Sequence, residues 1–375
     1  MTLFEPIQVG NSQLQHRVVH APLTRLRNTE DTNIPTDLVV EYYSQRATLG
    51  GLIIGEGSAI SNKAGGYPRG PGLFTEDQLE GWRKVTQAVH EKGGINFSQM
   101  WHGGRAGSSL FIKDNQLPIA PSPIPITSSK NFMVNEPYEV PHEASHDDIK
   151  NLVKQYVAAA KNAITAGFDG VEIHGANGYL IQQFIASSSN KRTDDYGGTI
   201  PNRSRFTLEV SEAVANAIGP ERTGIRFSPW AGAELDAQDD TPYETYGYIL
   251  EHLNPKLAYV HFVEPRDDAL REVPDLVNSL DPFRKIWQDR PFISAGGYST
   301  QPELMAAVAE NTGNLIAVGR AYLANPDLVE RLKYGWPLNK YEREFFYTTG
   351  TLGYTDYPFY SAKGTTTTSI NDQSQ

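Results

Sequence analysis

Cysteine is absent from the 375 residues, which excludes disulfides, thiolate metal sites, iron–sulfur clusters and a cysteine nucleophile. No apolar run approaches the roughly 18 residues of a membrane span, and the Met1-Thr2-Leu3-Phe4-Glu5 opening lacks the basic and apolar blocks of a signal peptide. A cytoplasmic, soluble protein is expected. Positive charge is in short supply, 33 Lys and Arg against 44 Asp and Glu for a net of −11, which argues against a nucleic-acid backbone or an anionic membrane surface as partner. No H-E-x-x-H or similar ligand spacing occurs among the nine histidines, so no metal is expected. Small molecules are left as the expected partners of a monomer or homodimer. Asn96 and Asn202 each begin an Asn-x-Ser match, read as chance because the first lies inside an expected buried strand.

What is present is a repeated alternation. Eight short apolar runs, at 17–20, 51–55, 95–101, 170–174, 224–228, 257–263, 291–295 and 315–319, are separated by helical patterns. Most runs are solidly apolar, as expected of parallel strands covered on both faces. Thr75 with Gln78 and Ser145 with Asp148 have the spacing of helix-starting capping boxes, and Gly167 supplies a stop before the fourth run. The first run is not followed by G-x-G-x-x-G, and no G-x-x-x-x-G-K-[ST] loop appears, so an open dinucleotide-binding sheet is disfavoured. The fold class expected is α/β, a (β/α)₈ TIM barrel in one domain over 1–363. A proline-rich segment at 103–144 reads as a long lid or binding loop inserted after the third strand, and 364–375 reads as a disordered tail.

In such a barrel the site lies at the C-terminal ends of the strands. The densest polar group there is Val171-Glu172-Ile173-His174-Gly175-Ala176-Asn177-Gly178-Tyr179-Leu180. His174 and Asn177 can donate to one oxygen, polarising a carbonyl, while Tyr179 is a weak acid suited to protonating an enolate-like carbon. The bland alternative is a core histidine and a packed tyrosine. Arg226, a cation on an apolar strand, calls for an anionic cofactor or for Glu172 on the neighbouring strand. Gln99 offers an amide to a ring edge or to an interior hydrogen bond. Gly296, Gly297, Gly319 and Arg320, at the exits of the last two strands, form a candidate phosphate cradle.

These residues resemble the old yellow enzyme family of FMN-dependent ene reductases and NADPH dehydrogenases, of the yeast and fungal type. The resemblance runs along nearly the whole chain through Ala21-Pro22-Leu23-Thr24-Arg25, His174-Gly175-Ala176-Asn177-Gly178-Tyr179-Leu180 and Asn190-Lys191-Arg192-Thr193-Asp194-Asp195-Tyr196-Gly197-Gly198. It implies a tightly bound, non-covalent FMN, with Pro22, Thr24, Gly57, Gln99 and Arg226 around the ring. Gly296, Gly297, Gly319 and Arg320 would take the phosphate, and Phe346 would pack near the dimethylbenzene end. It further implies that His174 and Asn177 bind the substrate carbonyl, that Tyr179 is the proton donor, and that Trp101 and Tyr347 shape the pocket. The activity implied is NADPH-driven reduction of the activated C=C bond of α,β-unsaturated carbonyl compounds. One branch of the family carries cysteine at the position of Thr24, and a plant branch carries histidine at that of Asn177. Two other readings of the chain stay open, a silent flavin-binding protein and a flavin-independent barrel lyase.

Overall fold

A computed structural model describes residues 1–268, 273–274 and 277–361, so the tail expected from 364 lies outside the described residues. Eight parallel strands close a ring: β1 Val18–His20, β2 Leu52–Ile54, β3 Ile95–Trp101, β4 Gly170–Gly175, β5 Thr223–Phe227, β6 Tyr259–Val263, β7 Phe292–Ala295 and β8 Leu315–Val318. Each pairs with its sequence neighbours, and β8 pairs with β1 through Ile316 opposite Val18. The barrel expected from the alternation is therefore the one observed, each strand within two residues of its apolar run.

Because side chains alternate along a strand, every second residue points inward. Val19, Leu52, Ile54, Phe97, Tyr259, Ile293, Leu315 and Ala317 form one interior cluster, to which Val9 and Leu14 are added by an N-terminal hairpin, Ile7–Val9 with Ser12–Leu14. The other parity, including Met100, Ile173, Ile225 and Phe262, packs outward against helices. Among these are α1 (Glu76–His90) and α2 (His146–Thr165), whose capping boxes at Thr75/Gln78 and Ser145/Asp148 are both formed. The longest of the described helices, α2, lays Ile149, Leu152, Tyr156, Ala160 and Ala163 against the sheet, and Gly167 follows its end at φ +90°. Among the described residues no helix is long and apolar enough to cross a membrane.

The 103–144 segment is not structureless. It contains a two-residue strand, Ile119–Ala120, paired in parallel with His142–Glu143, and a small hairpin, Lys130–Asn131 with Glu136–Pro137. Buried guanidiniums tie it down. Arg192 donates to the carbonyls of Pro121 and Ala144, and Arg105 donates to those of Ile124, Leu235 and Asp236. Five carbonyls held by two cations from outside the segment's own hairpin make order possible without regular secondary structure.

Candidate active site

A cavity of about 300 Å³ opens at the C-terminal mouth of the barrel. Twelve candidate residues line it: Pro22, Thr24, Gly57, Gln99, Trp101, His174, Asn177, Tyr179, Arg226, Arg320, Phe346 and Tyr347. Gly296, Gly297 and Gly319 are not part of its wall. Gly319 stands just behind it, since a Cβ there would come within 3.1 Å of the Leu23 side chain, which does line the cavity.

His174, next to last in β4, is almost fully buried, and the Ala176 N–H donates to its Nδ1 at 3.2 Å. A ring nitrogen that accepts carries no proton, so the neutral imidazole holds its hydrogen on Nε2. Burial, with Arg226 and His261 nearby, keeps the ring's pKa well below the ordinary value, so it is a neutral donor at physiological pH. The chain then turns sharply through Asn177 at φ +56° and Gly178 at φ +79°, the left-handed region that asparagine and glycine tolerate. A Cβ on Gly178 would also come within 2.7 Å of Leu235. Ser228 and Gln182 brace this turn: the Asn177 N–H donates to Ser228 Oγ at 2.7 Å, and the Gly178 N–H to Gln182 Oε1 at 2.9 Å. Tyr179 follows, edge-on to His174 and to Trp101 with ring centres 5.2 and 5.3 Å away. Burial raises its hydroxyl above the usual tyrosine range, although Tyr67 beside it works the other way, so Tyr179 keeps its proton at neutral pH.

Next to this turn the strands themselves carry further polar groups. Gln99 on β3 lies directly across from Glu172 on β4, and its Nε2 donates to Glu172 Oε1 at 2.7 Å. His261 on β6 engages the other carboxylate oxygen through Nδ1 at 2.8 Å. Burial opposes ionisation of Glu172, but His261, Arg226 and Gln99 outweigh it and hold the carboxyl below its usual range. The apolar-strand cation Arg226 feels the Glu172 charge, the protein partner raised from the sequence, and also lines the cavity.

The roof is made of loops. Tyr67 and Arg343 line the cavity although neither stands out in the sequence. Phe132, from the hairpin in the inserted segment, meets Tyr67 and Tyr347 with ring centres 5.3 and 5.7 Å apart. The C-terminal segment bearing Phe346 and Tyr347 is held by two buried arginines. Arg25 donates to the carbonyls of Phe346 and Gly353, and Arg27 to those of Phe345 and Phe346. Glu56, just after β2, accepts from the Arg25 N–H at 3.2 Å, and burial pushes its carboxyl up to about 7 despite these cations. His261 was legible in principle, because it shares inward parity with Tyr259 on a recognised strand. Tyr67, Arg343 and Phe132 carry no local signal.

A family model described as NADH:flavin oxidoreductase / NADH oxidase matches residues 2–339. The chain belongs to that family. It is an FMN-dependent oxidoreductase of the old yellow enzyme type. A flavin oxidoreductase of Emericella nidulans is 44% identical over 95% of this chain and 97% of its own. The 12-oxophytodienoate reductase 1 of Oryza sativa subsp. japonica is also 44% identical, over 95% of this chain and 93% of its own. Among solved structures, the old yellow enzyme homologue of Zymomonas mobilis superposes with a TM-score of 0.88 at 38% identity, covering 95% of this chain and 99% of that one. Morphinone reductase gives 0.87 at 39% identity, with 97% and 99% covered. The family membership fits the missing glycine fingerprint, since a flavin in a barrel needs no separate dinucleotide domain.

Proposed function

We propose that this family member is an NADPH-dependent ene reductase acting on α,β-unsaturated carbonyl compounds in two alternating half-reactions at one site. The observation that carries this reading is the meeting, around one cavity, of the Gln99 and Arg226 wall with the His174, Asn177 and Tyr179 turn.

The wall suits FMN by its chemistry. Gln99 offers an amide to a pyrimidine-like edge, Arg226 offers a cation to a ring that gains negative charge, and Thr24, Gly57 and Pro22 line the same cavity. Gly296, Gly297, Gly319 and Arg320 would hold the phosphate, and Phe346 the far end of the ring. When bound, FMN supplies hydride chemistry, taking a hydride from NADPH and giving one to the β-carbon of the alkene.

The remaining work belongs to the chain. His174 Nε2–H and the Asn177 amide bind the carbonyl oxygen and stabilise the negative charge that develops there as the alkene is reduced. Because His174 is neutral, it stabilises that oxygen as a hydrogen-bond donor without protonating it. Tyr179 delivers its proton to the α-carbon, and its raised pKa keeps it protonated until that moment. Trp101 and Tyr347 confine the substrate over the ring.

Stopped-flow measurement of Tyr179→Phe tests the assignment. The step that consumes an enone should slow by about 10²–10⁴-fold, the range for a lost general acid, while flavin reduction by NADPH changes little. Equal impairment of both steps would reject the role of Tyr179.

A further inference from the structure

Glu172 and His261 are fully buried inside the barrel, beneath the cavity, and the scheme above gives them nothing to do. Their geometry nevertheless dictates how Gln99 faces its ligand. An ionised carboxylate only accepts hydrogen bonds, so the Gln99 atom 2.7 Å from Glu172 Oε1 must be the amide nitrogen. The amide oxygen is therefore turned away from Glu172. It lies on the Gly57 side, where a Cβ added to that cavity-lining glycine would come within 3.4 Å of it. His261 Nδ1 holds the other carboxylate oxygen at 2.8 Å, so Glu172 cannot rotate without breaking two contacts. On the adjacent strand, Arg226 carries the positive charge that Glu172 partly offsets.

We propose that Glu172 is a positioning residue for the cofactor: it locks Gln99 so that a carbonyl oxygen, not an amide N–H, meets the ring edge, and it tempers the Arg226 charge and so lowers the flavin's reduction potential. This rests on FMN occupying the cavity as proposed above. A locked acceptor selects a ring edge that donates, which for a flavin is the pyrimidine N3–H. A tempered Arg226 stabilises the electron-rich reduced ring less than an isolated guanidinium would.

Glu172→Gln removes the charge while keeping the shape, and frees Gln99 to present either end of its amide. In the full-length holoenzyme the potential should move in the positive direction by an amount equal to about a tenfold change in the reduced-to-oxidised ratio, about 30 mV for a two-electron couple. Exchange of bound FMN against its N3-methyl analogue provides a second readout, which needs no variant. Native protein should favour FMN by about tenfold or more, and Glu172→Gln should reduce that preference to about twofold. If the variant fails to fold, native protein that accepts both flavins equally still overturns the proposal. An unchanged potential and an unchanged preference in a yellow Glu172→Gln protein also overturn it, and leave the flavin reading standing. Native protein that takes up no FMN overturns both.

Discussion

The two sides of the cavity are built on different principles. Gln99, Glu172, Arg226 and His261 project from neighbouring strands, in a register fixed by backbone pairing. Tyr67, Phe132 and Tyr347 come from three loops far apart in the chain, and Phe132 and Tyr347 are each 53% exposed. The strand side cannot shift one residue without turning every side chain to the other face. The loop side can shift by small rotations of rings in partial contact with water. Under the proposed function, that difference suits the wall to a constant cofactor and the roof to variable substrates.

Breaking the wall should have the largest effect on stability. Glu172→Leu leaves the Gln99 amide and the His261 imidazole without their shared acceptor and removes the negative charge that interacts with Arg226. The expected loss is about 3–5 kcal/mol, the range for breaking a buried ion pair, measured by denaturant unfolding.

Glu56 sits at the junction of wall and roof, and its effect depends on pH. Its folded pKa, about 7, exceeds the ordinary glutamate value of 4.5, so between these values the native state binds more protons than the unfolded chain. Its contribution is therefore fully present below about pH 4.5, is lost as pH rises towards 7, and stays lost above. The displacement corresponds to roughly 3 kcal/mol. Glu56→Gln should flatten that part of the stability profile, and an identical profile in the variant would show that Glu56 is not the group responsible.

The roof should respond least. Phe132→Ala removes two partly exposed ring contacts, worth about 0.5–1.5 kcal/mol each at most. Because the ring is 53% exposed, the stability loss should be about 1 kcal/mol and well short of the wall variant's, while KM for bulky enones shifts several-fold and kcat for a small enone is kept. A stability loss as large as that of the wall variant would erase the distinction between the two sides.

The same contrast explains what could be read from the sequence. The eight strands were legible because a strand buried on both faces must be a solid apolar run. Gln99 and Arg226 were legible because a polar or charged residue in such a run demands a reason. The turn at Asn177 to Tyr179 announced itself through two glycines and three hydrogen-bonding side chains in close succession. His261 was harder, since one histidine in an apolar run reads equally well as core, and its meaning comes only from the carboxylate two strands away. Tyr67, Phe132 and Arg343 were not legible at all. The positions of Tyr67 and Phe132 depend on contacts with residues 65 to more than 200 positions distant, Tyr67 with Phe132 and Phe132 with Tyr347. The inserted segment looked structureless for the same reason: the arginines that hold it, Arg105 and Arg192, bond to backbone carbonyls, which every sequence possesses.

The most direct test of the account is an absorbance titration of the purified protein with a phenol, whose oxygen stands in for the developing enolate. Native protein should be yellow and should gain a long-wavelength charge-transfer band as phenol binds. Replacing His174 and Asn177 together by alanine should weaken phenol binding by about 10²–10³-fold, as expected when oxyanion donors are removed, with the flavin still in place. A colourless native protein, or a band that survives the double substitution undiminished, would contradict the convergence of wall and turn on one flavin and one substrate oxygen.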